Sequence, residues 1–302
     1  MIFAAWDDTL TTARTHRYIK SAQLMVTATS DSNLVLYSVA QHPHCFAMQK
    51  TLVGFNDEII QMCAFGEDQL AVATNTQQIR VFDQRTWSCA LLYGHQGHVL
   101  CLAASTAPAN LLASGGKDAV ARVWSRDAAT QRTTCVATCS GHAEAIGAIC
   151  LPHGSTAFML TGSADRTIKC WDLSALATVP AQGGDDAGAA PPTACTTLYT
   201  FVAHDRDINH VSLSPNDKWF ATSSQDRTVK LWDTVSGQLQ RTLRGHKRGV
   251  WCAQFSTLQK WIATGSADRT IKLWNLNDGA CIKVFIFFFH FFFFFFLALT
   301  CL

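Results

Sequence analysis

The chain of 302 residues is 48% apolar, enough to bury one large core or two modest ones. Only 15% of its residues are charged, and a formal net charge of +2 excludes nucleic-acid binding driven by bulk basicity. Twelve cysteines form no C-x-x-C pair, Cys135 and Cys139 being the nearest approach, which argues against a zinc framework and any metal; without a secretory signal they read as reduced, mostly buried thiols.

Aromatic residues that close a recurring phrase stand at Tyr37, Phe82, Trp124, Trp171, Trp232 and Trp274, with gaps of 45, 42, 47, 61 and 42 residues. A period of 40–45 residues with Gly-His near one end and Trp near the other predicts the blades of a β-propeller. The first 20 residues match this period poorly, and the first unit begins near His16–Ser21. It keeps Thr27 and Asp31 but closes on Tyr37. The second unit carries Phe55, Val72, Thr76 and Phe82 where later units carry His, a hydroxyl, Asp and Trp.

From the third unit onward four residue types hold fixed register. His95, Ser114, Asp118 and Trp124 are followed by His142, Thr161, Asp165 and Trp171, then by His204, Thr222, Asp226 and Trp232, and finally by His246, Thr264, Asp268 and Trp274. In each set Asp lies 22 or 23 residues after His, the hydroxyl four before Asp, and Trp six after it. Residues 174–197, rich in Ala, Gly and Pro, interrupt the period as a linker-like insertion within one repeat. Between such landmarks lie short β-branched and aromatic runs bounded by turn residues, as in INHVSLS, WFATSSQ, VKLWDT and LQRTLRG, so each unit reads as four strands. No segment offers sustained helical periodicity.

A buried Trp brings a large apolar body and an indole N–H that requires an acceptor. Four equivalent His, hydroxyl, Asp and Trp sets at blade spacing fit architecture, whereas a hydrolase needs one such set in one cleft. Neither a phosphate-binding G-x-x-x-x-G-K-S/T loop nor H-E-x-x-H occurs, and Gly115-Gly116 and Gly183-Gly184 read as a turn and a linker. No cofactor and no small-molecule substrate are expected. One cluster looks outward: Arg244, Lys247, Arg248 and Trp251 in RGHKRGVW gather on the loop entering the sixth unit and place cations beside an aromatic, which suits RNA or an acidic peptide.

These phrases resemble the WD40 family over 21–285. The resemblance implies an all-β propeller of about six four-stranded blades, short of the family's usual seven, in which His, Asp, hydroxyl and indole form a buried relay. AHDRDINHVSLSPNDKWFATSSQDRTVKLW, GHKRGVWCAQFS and VTATSDSNLVLY are similar to the WD40 subunits of the small-subunit processome. That branch implies a nuclear, nucleolar scaffold for 18S rRNA maturation, with other propeller subunits and the precursor rRNA/U-three snoRNA particle as partners. A ubiquitin-ligase receptor or signalling adaptor is the alternative. Residues 284–302 are long enough to span a bilayer, but no basic flank follows them and the polyphenylalanine segment 286–302 is of low complexity, so it reads as translated noncoding sequence rather than an anchor.

Overall fold

The computed structural model describes residues 13–19, 24–29, 31–38, 47–53, 57–66, 68–105, 111–127, 130–154, 157–178 and 191–286. Blade 1 is built from β1 (Ala13–Ile19), β2 (Leu24–Thr29), β3 (Leu34–Ser38) and β4 (Ala47–Leu52). Blade 2 comprises β5 (Ile59–Phe65), β6 (Gln69–Thr74), β7 (Ile79–Asp83) and β8 (Cys89–Leu92). Blade 3 contains β9 (Val99–Ala104), β10 (Leu111–Gly116), β11 (Val120–Arg126) and β12 (Thr133–Ser140). Blade 4 uses β13 (Ile146–Cys150), β14 (Phe158–Ser163) and β15 (Thr167–Asp172). Before its fourth strand the chain forms a 3-10 turn, Ser174–Thr178, and then β16 (Thr193–Ala194), which joins blade 3 as a fifth strand; β17 (Thr197–Val202) completes blade 4. Blade 5 is β18 (Ile208–Leu213), β19 (Trp219–Ser224), β20 (Thr228–Asp233) and β21 (Leu239–Arg244). Blade 6 is β22 (Val250–Phe255), β23 (Trp261–Ser266), β24 (Thr270–Asn275) and β25 (Cys281–Ile286).

The result is a six-bladed β-propeller. Within each blade consecutive strands pair antiparallel, so short turns suffice. The first strands of consecutive blades run side by side, from β1 through β5, β9, β13 and β18 to β22. Among the described residues no junction of that extent joins β22 to β1. Second strands are buried along their whole length in blades 1, 2 and 3 because blades cover both faces. Fourth strands form the rim, and β25 is largely exposed.

The core lies between blades. Leu160, Ile168 and Cys170 of blade 4 pack on Val211, Phe220 and Trp232 of blade 5. Val229, Leu231 and Leu243 of blade 5 meet Phe255, Ile262 and Trp274 of blade 6 in the same way. Polar ties add register: Gln61 Oε1 accepts from the Leu102 amide at 2.9 Å, and Asn209 Nδ2 donates to Val250 O at 2.7 Å. Arg126 pairs with Asp68 at 2.7 Å across blades 3 and 2.

Three positions differ from the sequence reading. β1 lies inside the poorly matched segment 1–20; its Arg and His carry no apolar alternation, and its register with β2 is made by backbone pairing. Gly115 and Gly116 end β10 instead of forming a turn. A Cβ on Gly115 would stand 2.6 Å from Ile146 Cγ2, so glycine admits the next blade. Residues 174–197 connect β15 to β17, and their two described ends carry structure, unlike a bare linker. Gly183-Gly184, Phe55 and residues 287–302 lie outside the described residues.

Candidate functional site

One end of the propeller gathers the turns between second and third strands and the loops that lead from one blade into the next. In blade 3 the Trp124 indole N–H donates to Ser114 Oγ at 2.8 Å, Ser114 Oγ lies 2.8 Å from His95 Nε2, and His95 Nδ1 lies 2.9 Å from Asp118 Oδ2. Blade 4 repeats this with 2.8 Å at all three links between Trp171, Thr161, His142 and Asp165. In blade 5 Trp232, Thr222, His204 and Asp226 are joined at 2.9, 2.7 and 2.7 Å. In blade 6 Trp274, Thr264, His246 and Asp268 are joined at 2.8, 2.7 and 2.9 Å.

The donor inventory assigns the protons. A carboxylate only accepts, so Nδ1 carries an imidazole hydrogen; the hydroxyl accepts from the indole and has Nε2 as its nearest acceptor, the longer alternative at Thr161 and Thr264 being a backbone carbonyl at 3.5 and 3.4 Å. With the hydroxyl hydrogen directed at Nε2, the imidazoles of His95, His142 and His246 are neutral. Burial agrees: it pushes His95, His142 and His246 below the ordinary value, against the opposing pull of their aspartates. Burial would raise Asp165 and Asp268, but hydrogen bonds from Thr167 and the Ala143 amide, and from Thr270 and the Lys247 amide, outweigh it and hold both carboxyls at about 2.

The threonine after Asp-Arg is a fifth member that the spacing reading missed. Thr167, Thr228 and Thr270 each donate Oγ1–H to the preceding Asp Oδ1 at 2.6 Å, with their amides adding a second bond. The signal was present in the phrase Asp-Arg-Thr itself. Blade 3 has Val120 there, and only its amide reaches Asp118, at 3.3 Å.

Gly245 precedes His246 at φ +144°, with the Trp274 ring edge 3.3 Å from where a Cβ would stand. Ala203 fills the same place before His204 and is buried without a positive φ. Blades 1 and 2 make other arrangements. Thr27 Oγ1 donates to Val35 O at 3.3 Å while Tyr37 fills the core. Val72 and Phe82 are buried, and the Thr76 hydroxyl pairs with that of Thr74 at 2.9 Å, so blade 2 keeps a polar turn without a relay.

The outward residues of this end are basic. Arg166, Arg227 and Arg269 are exposed at turn tips with φ of 70°, 71° and 63°. Arg244 is exposed at the end of β21, and Lys247 and Arg248 are exposed on the loop into blade 6, where the Lys247 amide caps Asp268 at 2.8 Å and Arg248 O accepts from Ser266 Oγ at 3.0 Å. Trp251 lies within β22 and not on that loop; it is 51% exposed, between buried Val250 and half-buried Cys252. Among the described residues no cation–π contact joins Trp251 to those cations, whereas Lys230 and Lys272 stand over Trp232 and Trp274 at 5.9 and 5.8 Å. No group of His, Cys, Asp and Glu among the described residues is arranged to hold a metal ion.

The family described as WD domain, G-beta repeat, matches residues 87–125, 133–172, 195–233 and 237–275. Transducin beta-like protein 3 of Mus musculus is 38% identical over 237 residues, covering 78% of this chain and 28% of that protein. The Homo sapiens protein of the same name is 39% identical over 236 residues, with the same two shares. U3 small nucleolar RNA-associated protein 13 of Saccharomyces cerevisiae is 31% identical over 259 residues, covering 77% of this chain and 30% of its own length. The chain thus spans less than a third of the length of these relatives.

Proposed function

The chain belongs to the WD40 family, and from that premise we propose that it is a non-catalytic scaffold of the small-subunit processome, acting in nucleolar 18S precursor-rRNA processing. The observation that carries this reading is a likeness over more than three quarters of the chain to Transducin beta-like protein 3 and to a protein named for its association with U3 small nucleolar RNA. The geometry supports the non-catalytic part. Ser114, Thr161, Thr222 and Thr264 are fully buried, and each hydroxyl already serves one indole and one imidazole, so none is presented to a substrate.

Partner contact belongs to the basic end. Arg227, Arg244, Lys247, Arg248 and Arg269 are exposed around the entrance to blade 6, and guanidinium groups in such an array suit phosphates of RNA or acidic segments of other propeller subunits. Trp251 adds an exposed aromatic surface on the adjoining strand.

Capture of the tagged full chain from cells tests the assignment. Enrichment of processome subunits and precursor rRNA is the expected result; recovery of ubiquitin-ligase subunits in their place would refute it. The triple variant Arg244→Ala, Lys247→Ala, Arg248→Ala should lower recovery of that RNA or its subunits, by about tenfold at physiological salt if three charge contacts are lost. Unchanged recovery from this folded variant would remove the basic end from the interface.

A further inference from the structure

The segment between β15 and β17 returns to the outer edge of blade 3, where β16 runs parallel to β12 and pairs Thr193 with Ala137 and Ala194 with Thr138. The Cys195 amide then donates to Thr138 O at 2.9 Å. This register brings Cys195 level with Cys139, and both are free thiols. Cys195 packs against the apolar cluster between blades 3 and 4 that contains Cys139, which places the Cys139 thiol to donate to the Cys195 sulfur. Cys139 is fully buried and Cys195 partly exposed. Neither belongs to the relays or to the basic end.

We propose that Cys139 and Cys195 form a reversible disulfide, a modification site at which the rim of blade 3 is stapled to the segment entering β17. Hydrogen-bond donation from Cys139 lowers Cys195 from the ordinary thiol range against the opposing effect of burial, while the same bond and burial raise Cys139. Cys195 is therefore the attacking sulfur and Cys139 the resolving one. With a small-molecule disulfide as oxidant, the Cys195 thiolate attacks one sulfur of oxidised glutathione; that S–S bond breaks and one glutathione thiolate leaves. Cys139 gives its proton to solvent and attacks the Cys195 sulfur of the mixed disulfide, releasing the second glutathione. Two protein thiols lose two electrons, and one oxidised glutathione becomes two reduced molecules.

Cys135 supplies an internal control. It lies on the same strand, but an irregularity in the β11/β12 pairing between Val123 and Trp124 separates the two register segments, and Cys135 packs into the cluster between blades 2 and 3.

The test equilibrates the full chain in graded mixtures of reduced and oxidised glutathione, traps remaining thiols by alkylation and maps peptides by mass spectrometry. A Cys139–Cys195 linked peptide should accumulate with oxidised glutathione and disappear with dithiothreitol. Its yield should be unchanged in Cys135→Ser and zero in Cys195→Ser. Cys139→Ala should instead leave glutathione attached to Cys195, provided circular dichroism shows that the variant is folded. In the unaltered chain, a persistent glutathione adduct at Cys195, a link to Cys135, or two free thiols at every ratio would each overturn the proposal.

Discussion

In each relay the indole N–H creates a demand that one buried hydroxyl meets. Thr264 accepts from Trp274 and faces His246, so Thr264→Val strands two polar groups at once while keeping the side-chain volume. A loss of about 2–3 kcal/mol in urea unfolding is expected, because buried groups without partners cost more than the bond itself contributes. Trp274→Phe in the Thr264→Val background should cost less than it does alone, a coupling measurable by a double-mutant cycle. Blade 2, with Val72 and Phe82 buried at the equivalent places, is the natural counterpart of that double variant. The pH dependence follows from the same groups and from His210. Burial pushes His210 down to about 4 from its ordinary 6.5, and its Nδ1 has no hydrogen-bond partner in the interior. The unfolded chain takes up a proton that the folded chain refuses, so the stability this residue confers is full above pH 6.5 and falls as pH drops toward 4. The full shift is worth on the order of 3 kcal/mol. Asp165 and Asp268, held at about 2 against 3.8, contribute stability above pH 3.8 that is lost as pH falls toward 2. Thermal midpoints between pH 7 and pH 4 should therefore decline, and His210→Leu should flatten the decline; a flat profile in the unaltered chain would contradict this account.

For strands and turns, the contrast between Gly245 and Ala203 separates two demands. Gly245 has a left-handed φ of +144° close to the Trp274 ring, so Gly245→Ala should destabilise by about 1–2 kcal/mol. Ala203 has no positive φ, and Ala203→Gly should cost no more than about 1 kcal/mol, through backbone entropy. Chemical denaturation of the two variants checks the order. The four relays were legible in the sequence because side-chain identity makes them: His, hydroxyl, Asp and Trp recur at nearly constant spacings. β1 and β16 were not legible, because ARTHRYI and Thr193–Ala194 are held by backbone bonds that any residues could make. Trp251 was misplaced onto the loop for a related reason. Gly-Val-Trp reads as a continuation of a basic turn, and only pairing of Val250 with Ser266 reveals that β22 has already begun. Gly115 failed likewise, since the Ile146 methyl that excludes a side chain belongs to the next blade.

Across the molecule, blades are joined mainly through their first strands and the apolar layers between them, with a few polar ties such as Arg126–Asp68 and Asn209–Val250. Arg126→Ala removes one of these ties, between a nearly buried guanidinium and a partly exposed carboxylate, so a loss of about 1–2 kcal/mol is expected in denaturant unfolding. The pairing of β16 with blade 3 is of another kind, because it ties the approach to the last strand of one blade to the rim of the blade before it. During synthesis, which delivers the chain from its amino end, β12 is present before Thr193–Ala194 emerges and can serve as its template. Blade 4 then closes in a set sequence: β13 to β15 first, the short parallel strand next, β17 last. Pulse-labelling hydrogen exchange during refolding should find β12 protected earlier than β17, and simultaneous protection would remove the dependence. The insertion thus gives an otherwise repetitive molecule a direction in time, a seam where one blade waits for another.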